Sequence, residues 1–218
     1  MASARFGCVD GRAVLITDSL TSYVDIEKFS SGKLPSEPMA CLERWSEVCK
    51  VAASLSPTDD LNAIALNANK LECPVPRPRQ IFAIGINYKA HAAEMNNPLP
   101  KEPLVFTKFQ SSLNSPNGSL TLVGEKCDFE AELVAVIAKG GRNILADEAW
   151  GHVAGLCVGQ DVSDRALQYA NTPPQFSLGK SRAGFTPIGP WITDAASLTT
   201  RANLEMTCRV SGEIMQHT

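Results

Sequence analysis

Asp128-Phe129-Glu130-Ala131-Glu132-Leu133-Val134-Ala135-Val136-Ile137-Ala138 is the stretch on which the reading of this chain turns. Its apolar residues fall on both faces of a strand, with Val134, Val136 and Ala138 on one and Leu133, Ala135 and Ile137 on the other. Such a strand is expected to be buried on both sides. Positions i and i+2 share a face, so Glu130 and Glu132 project together, roughly 7 Å apart, at the rim of something packed. Two carboxylates at that distance repel by about 2 kcal/mol at an effective dielectric of 20, and each also loses hydration. A divalent cation would convert the repulsion into ligation. A solvated strand end would tolerate the pair as well, and the segment alone leaves both readings open.

Working outward, short strands are expected at 81–86, 104–108, 153–160, 187–193 and 203–210, with brief helical patches near 89–95, 146–151 and 163–170. A mostly β chain with many turns predicts an α+β fold built on a rolled or barrel-like mixed sheet. Before it, residues 6–17 read as a hairpin turning at Asp10-Gly11. Ser36 is placed to cap a helix running to about Leu55, with Pro38 in its first turn. Leu42, Trp45, Cys49 and Ala52 follow helical spacing and read as a packing stripe. A second, shorter helix is expected after Thr58. In Cys73-Pro74-Val75-Pro76-Arg77-Pro78-Arg79 three prolines at alternate positions force an extended segment. It divides an N-terminal appendage, residues 1–74, from a main domain, residues 75–218.

A chain of 218 residues with a net charge of −3 can bury a sizeable core, and its charge argues against nucleic acid or an anionic membrane as partner. No apolar stretch approaches the roughly 20 residues needed to span a bilayer, and the N-terminus lacks a signal-peptide core. Seven scattered cysteines without a C-x-x-C pair read as reduced, mostly buried residues of a cytoplasmic protein. At the far end 203–210 alternates cleanly, Ser211-Gly212-Glu213 turns, and Ile214-Met215-Gln216 begins a return strand. That leaves a sheet edge to be covered by a second copy in a homodimer, or by further chain of which this sequence is a fragment.

Several residues carry chemical possibilities. His91 and Glu94 lie one helical turn apart, which suits either an oriented general base or a surface ion pair. His152 and His217 have no comparable partner. Asp161 ends the apolar run 153–160, where it can serve as an oxygen ligand or as a helix N-cap. With Glu130 and Glu132 it forms an all-carboxylate set, which favours Mg²⁺, Mn²⁺ or Ca²⁺ over zinc. Gly179-Lys180-Ser181 imitates the end of a phosphate-binding loop, but position 174 is proline where that loop needs glycine. Lys180 remains a candidate for binding a substrate oxyanion. Serine hydrolase, zincin and dinucleotide-binding motifs are absent.

Five blocks in order give the chain a specific likeness: Gly85-Ile86-Asn87-Tyr88-Lys89-Ala90-His91-Ala92-Ala93-Glu94, Asp128-Phe129-Glu130-Ala131-Glu132-Leu133, Gln160-Asp161-Val162-Ser163-Asp164-Arg165-Ala166-Leu167-Gln168, Leu178-Gly179-Lys180-Ser181 and Phe185-Thr186-Pro187-Ile188-Gly189-Pro190. Together they resemble the fumarylacetoacetate hydrolase superfamily over roughly residues 75 to 216. The resemblance implies a Mg²⁺ or Mn²⁺ held by Glu130, Glu132 and Asp161, with Ca²⁺ as a further candidate. It implies small 2-oxo or 1,3-dioxo acids as substrates, as in aromatic catabolism, cleaved at a carbon–carbon bond through a metal-stabilised enolate. His91, on a mobile lid and oriented by Glu94, would activate water, Lys180 would face the oxyanion, and Arg165, Gln168 and Lys108 would line the substrate pocket. Oxaloacetate decarboxylation, isomerisation of a 2-hydroxy-dienoate and a shortened, non-catalytic metal-binding product are the alternatives. Family members continue for tens of residues, through a Thr-Gly-Thr-Pro segment, beyond the point that Thr218 reaches, so a C-terminally shortened domain is expected. Their Asn-Gly turn is Ser211-Gly212 here.

Overall fold

A computed structural model describes residues 3–56, 63–89, 92, 98–201 and 204–218. The chain opens on the expected hairpin, β1 (Arg5–Val9) against β2 (Arg12–Ile16). Asp10 and Gly11 between them take φ of 50° and 72°. A two-residue turn joining right-twisted strands requires that left-handed pair, and Asp-Gly accommodates it. β3 (Ser22–Asp25) and β4 (Ile64–Ala65) extend the sheet on one side. On the other side β1 meets β13 (Thr186–Asp194), which pairs with β11 (Val153–Gln160), which pairs with β10 (Ala131–Ile137). The short β5 (Leu71–Glu72) joins β1 antiparallel, and β8 (Leu113–Asn114) joins β13 in parallel. Among the described residues nine strands therefore form one mixed sheet that stays open, with β10 and β4 at its two ends.

Three two-stranded ladders complete the β-structure of the described residues. They are β6 (Phe82–Gly85) with β7 (Leu104–Thr107), β9 (Cys127–Asp128) with β12 (Ser163–Asp164), and β14 (Thr207–Val210) with β15 (Glu213–His217). The last turns at Ser211-Gly212, again a positive-φ pair.

The main core joins the start of the chain to its second half. Phe6, Leu15, Ile26, Leu34 and Val48 pack with Val136, Ala154, Ile188 and Ile192. Each fully buried side chain of this kind is worth about 1.5–3 kcal/mol. A smaller cluster of Val9, Val14, Ile16 and Leu71 packs with Tyr23, Leu66 and Trp191. All seven cysteines are free thiols, five of them buried. Burial pushes the Cys8, Cys41, Cys49 and Cys157 thiols up to about 12, which suits small packing residues. No helix among the described residues is long and apolar enough to cross a membrane.

Two local expectations are corrected. The single helix from Ser36 to about Leu55 is two helices, α2 (Pro38–Leu42) and α3 (Trp45–Ala53), which follow α1 (Ile26–Phe29). Glu37 is the N-cap of α2, its carboxylate accepting from the Ala40 amide at 2.6 Å, with Pro38 at the first helical position. Arg44 leaves helical geometry (φ −115°, ψ 35°) and becomes the N-cap of α3. That restart sets Trp45 edge-on to Phe6, ring centroids 6.0 Å apart. The stripe itself is a packing stripe: Leu42 and Ala52 are buried, and Trp45 and Cys49 lie against the core. The helix expected after Thr58 lies outside the described residues.

The second correction concerns β10. Val134, Val136 and Ala138 face the core, but Leu133 and Ile137 on the opposite face are 43% and 61% exposed. β10 is a terminal strand of the sheet, and the described residues place no layer over its outer face. Two outward amides of its free edge are instead covered by side chains. Ala131 N–H donates to Gln216 Oε1 at 2.9 Å, and Leu133 N–H to the Tyr88 hydroxyl at 3.2 Å.

Candidate active site

β10 and β11 run antiparallel, with Ala131 opposite Gln160, so the residues just before β10 and just after β11 meet at one end of the sheet. Asp161 N–H donates to Glu130 C=O at 2.8 Å and carries the pairing one step past the strands. Glu130, Glu132 and Asp161 thereby come to the same end of the sheet from separate segments. Among the described residues no three His, Cys, Asp or Glu side chains stand ready to hold a metal as they are. Basic side chains lie between these carboxylates instead.

Lys180 is central. It follows α5 (Phe176–Gly179), and its backbone N–H donates to Phe176 C=O at 3.0 Å. Its ammonium is 2.7 Å from Glu130 Oε2 and 2.8 Å from Asp161 Oδ2, and 5.3 Å from the centroid of the Phe106 ring. Gly179 explains the imitation of a phosphate loop. A Cβ there would lie 2.8 Å from both Asp164 O and Gln168 N, so only glycine lets α5 close on α4 (Arg165–Gln168). The glycine serves close packing, and that packing seats Lys180 under the carboxylates.

Lys108, just past β7, reaches the other oxygen of Asp161. Its Nζ stands 2.5 Å from Asp161 Oδ1 and 3.3 Å from Phe185 C=O, with the side chain 3% exposed. Burial pushes its ammonium below the usual lysine range despite the pull of Asp161. Ser181 Oγ accepts from Phe109 N–H at 2.9 Å and so fixes the chain beside Lys108.

Arg165 occupies the corresponding place on Glu130. Its Nη2 is 2.8 Å from Glu130 Oε1 and 2.7 Å from Asp128 Oδ2, and its Nη1 donates to Gln168 Oε1 at 2.9 Å. Gln168 is buried, with Arg165 rather than open space before its carbonyl. Glu132 differs from its neighbours. Burial first, then the charge of Glu130, push its carboxyl up to about 7, against the Tyr88 hydroxyl that donates to it. Tyr88 follows Ile86, whose φ of 53° is unusual for a β-branched residue and marks the expected break after β6.

Seven of the nine site residues expected from sequence are therefore gathered around one buried charge cluster: Glu130, Glu132, Asp161, Lys180, Lys108, Arg165 and Gln168. His91 and Glu94 lie outside the described residues. Two contributors had not been singled out, Tyr88 and Asp128. Asp128 had a signal, since it shares the alternate-residue spacing of Glu130 and Glu132. Tyr88 stands in the first block of the family likeness but has no local signal of its own, because it meets Leu133 from 45 residues away in the chain.

Residues 80–218 match the model of the fumarylacetoacetate hydrolase C-terminal family. The chain belongs to that family. It is 42% identical over 145 residues to the mitochondrial oxaloacetate tautomerase FAHD2A of Bos taurus, an alignment spanning 66% of this chain and 46% of that protein. It thus spans about half the length of the curated relatives it matches. Among solved structures, a Mycobacterium smegmatis protein described as a candidate HpcE is 39% identical, with a TM-score of 0.86 over 98% of this chain and 75% of that one. A fumarylacetoacetate hydrolase from Exiguobacterium antarcticum is 27% identical, with a TM-score of 0.76 over 99% of this chain and 74% of that one. The relatives matched thus carry the names of a tautomerase and of a hydrolase.

Proposed function

We propose that this chain carries the site of a divalent-cation-dependent enzyme acting on small 2-oxo acids through an enolate, with keto–enol interconversion of an oxaloacetate-like dicarboxylate as its reaction. The observation that carries the reading is the convergence of Glu130 Oε2 and Asp161 Oδ2 on one point, now occupied by the Lys180 ammonium. Beside it the Glu132 carboxyl is raised to about 7, by burial first and then by the charge of Glu130. Glu130 and Asp161 are balanced by Lys180, Arg165 and Lys108, so an ion would share or displace the Lys180 ammonium. As an all-oxygen donor set Glu130, Glu132 and Asp161 would fit Mg²⁺ or Mn²⁺, and Ca²⁺ less well. Such an ion would supply Lewis-acid stabilisation of negative charge on the substrate's oxo oxygen.

The protein's own residues supply the rest. Lys180, buried to 2% exposure, would offer its ammonium to an oxyanion that develops next to the carboxylates. Arg165 and Lys108 hold Glu130 and Asp161 in place. His91, which with Glu94 lies outside the described residues, is the proposed group that moves the proton at carbon. The name of the bovine relative favours tautomerisation over the carbon–carbon cleavage expected from sequence. Hydrolysis of an acylpyruvate is the second reading, favoured by the solved hydrolase of the same fold. Decarboxylation of oxaloacetate and isomerisation of a 2-hydroxy-dienoate would use the same groups.

One assay separates these. EDTA-treated protein is mixed with the enol form of oxaloacetate, and the decay of enol absorbance is followed before and after adding Mg²⁺ or Mn²⁺. The expected result is acceleration that appears only with the metal, without release of CO₂. A rate equal to that of metal-containing buffer would overturn the tautomerase reading, and pyruvate released from an acylpyruvate would transfer it to hydrolysis.

A further inference from the structure

Glu130 and Asp161 are treated alike by the fold. Each carboxylate has one oxygen held by a cation fixed elsewhere in the structure, and one oxygen turned toward the common point at Lys180. On Asp161 the outer oxygen, Oδ1, belongs to Lys108, which is buried and also donates to Phe185 C=O. On Glu130 the outer oxygen, Oε1, belongs to Arg165, which Asp128 and Gln168 anchor from behind. The inward oxygens, Asp161 Oδ2 and Glu130 Oε2, are the pair that Lys180 touches.

We infer that Lys108 and Arg165 are positioning residues that set the ion selectivity of the site: by engaging Asp161 Oδ1 and Glu130 Oε1 they leave each carboxylate a single oxygen for a cation, which discriminates against Ca²⁺. This rests on the metal reading above and adds to it. Ca²⁺ takes six to eight oxygens and commonly uses a carboxylate through both, whereas Mg²⁺ takes six at near-ideal octahedral geometry with carboxylates bound through one oxygen and water filling the rest. With Glu130 and Asp161 each reduced to one oxygen, the three carboxylates including Glu132 supply about four oxygens at most, short of the set Ca²⁺ takes and suited to Mg²⁺ or Mn²⁺ completed by water. The capping cations also fix the angle at which each inward oxygen is presented, which a small, rigid ion demands more than a large one.

The test is the ratio of Ca²⁺ to Mg²⁺ affinity, measured by calorimetric titration of EDTA-treated protein with each chloride salt. Removing a lysine changes the local charge, but both ions are divalent, so that effect largely cancels in the ratio. Lys108→Met is expected to shift the ratio toward Ca²⁺ by about tenfold or more, the scale on which groups behind metal ligands act. Lys108→Arg keeps a cation on the outer oxygen and should hold the ratio close to wild type. Leu34→Ala, a core substitution remote from the site, controls for lost stability and should leave the ratio alone. Should Lys108→Met fail to fold, Arg165→Gln, at a side chain 25% exposed, removes the second cap and should move the ratio in the same direction. An unchanged ratio in the folded variant, with wild type binding Mg²⁺, overturns the selectivity role and leaves the site reading standing. Wild-type protein that binds neither ion overturns both.

Discussion

Around β1–β3 the interior is mostly apolar: Phe6, Leu15, Ile26, Leu34 and Val48 are sealed, Asp25 is buried beside Arg12, and Arg44–Glu47 and Lys70–Asp10 pair at the surface. Around β6–β7 and β10–β11 the arrangement is inverted. Lys108, Asp161, Asp164, Gln168 and Lys180 are buried, whereas Phe82, Val105, Ile137 and Val158 each show more than half their surface. Buried ions are costly unless paired and are poor devices for stability alone. A fold that keeps five polar or charged side chains inside one end of its sheet, and spends apolar ones outside, departs from consistent patterning where function resides.

The largest effect that would sharpen this contrast comes from Lys180→Met. It leaves Glu130 and Asp161 without their shared ammonium and should cost about 3–5 kcal/mol of stability, as breaking a buried pair does. Leu34→Ala in the other region should cost about 2–5 kcal/mol through transfer and cavity terms. Equal size conceals different causes, and urea unfolding with and without Mg²⁺ separates them. Mg²⁺ should restore much of the loss in Lys180→Met, because a divalent ion replaces the missing positive charge. In Leu34→Ala it should add only what it adds to wild type. Equal increments in the two variants would erase the distinction between the regions.

How much of this was legible in sequence follows the same division. The β1–β2 hairpin was readable because Asp10-Gly11 is a local signal for a local event, and the Leu42–Ala52 stripe because its period is local too. The helix break was hidden, since Arg44 is an ordinary helix former and the reason to stop is Trp45 meeting Phe6, which precedes it by 39 residues. Leu133, Ala135 and Ile137 were misread because apolar composition does not tell a strand at the end of a sheet from one inside it. Glu130 and Glu132 were found from spacing. Their partners Lys108 and Arg165 were seen as pocket residues only through the family likeness. That Lys108 caps Asp161 across 53 residues is a tertiary fact without a sequence period.

A moderate effect should appear with pH, and with opposite sign in the two regions. Burial raises the Asp25 carboxyl, but Arg12 and the Lys28 amide more than offset it, so Asp25 ends below its ordinary value. Its stabilising contribution is present above about pH 4 and fades as acid protonates it through the lowered folded value. Glu132 runs the other way. Its folded value near 7 lies above the unfolded one, so its contribution is complete below about pH 4.5 and is lost as pH rises toward 7. Melting temperatures of Asp25→Asn, Glu132→Gln and wild type across pH 3 to 8 would show this. Replacing Asp25 should flatten the acid limb of the wild-type profile, and replacing Glu132 the limb between about 4.5 and 7. A single shared limb would mean that the two acids do not sit in contrasting environments.

The smallest effect is the most exposing for the comparison itself. Leu133 lies on the outer face of β10 with 43% of its surface open, so Leu133→Ser removes little that folding had buried. Surface changes of this kind stay within about 0.5 kcal/mol. Chemical unfolding of Leu133→Ser at dilute protein should therefore match wild type, in contrast to Leu34→Ala. A loss beyond about 1.5 kcal/mol would place Leu133 in an interior, on the scale of buried leucines. If that loss grew with protein concentration, the covering layer would be a second copy of the chain, because a partner stabilises the folded state by mass action. The exposed apolar face would then belong to an interface, and the inversion between the two ends of the sheet would be confined to the buried charges.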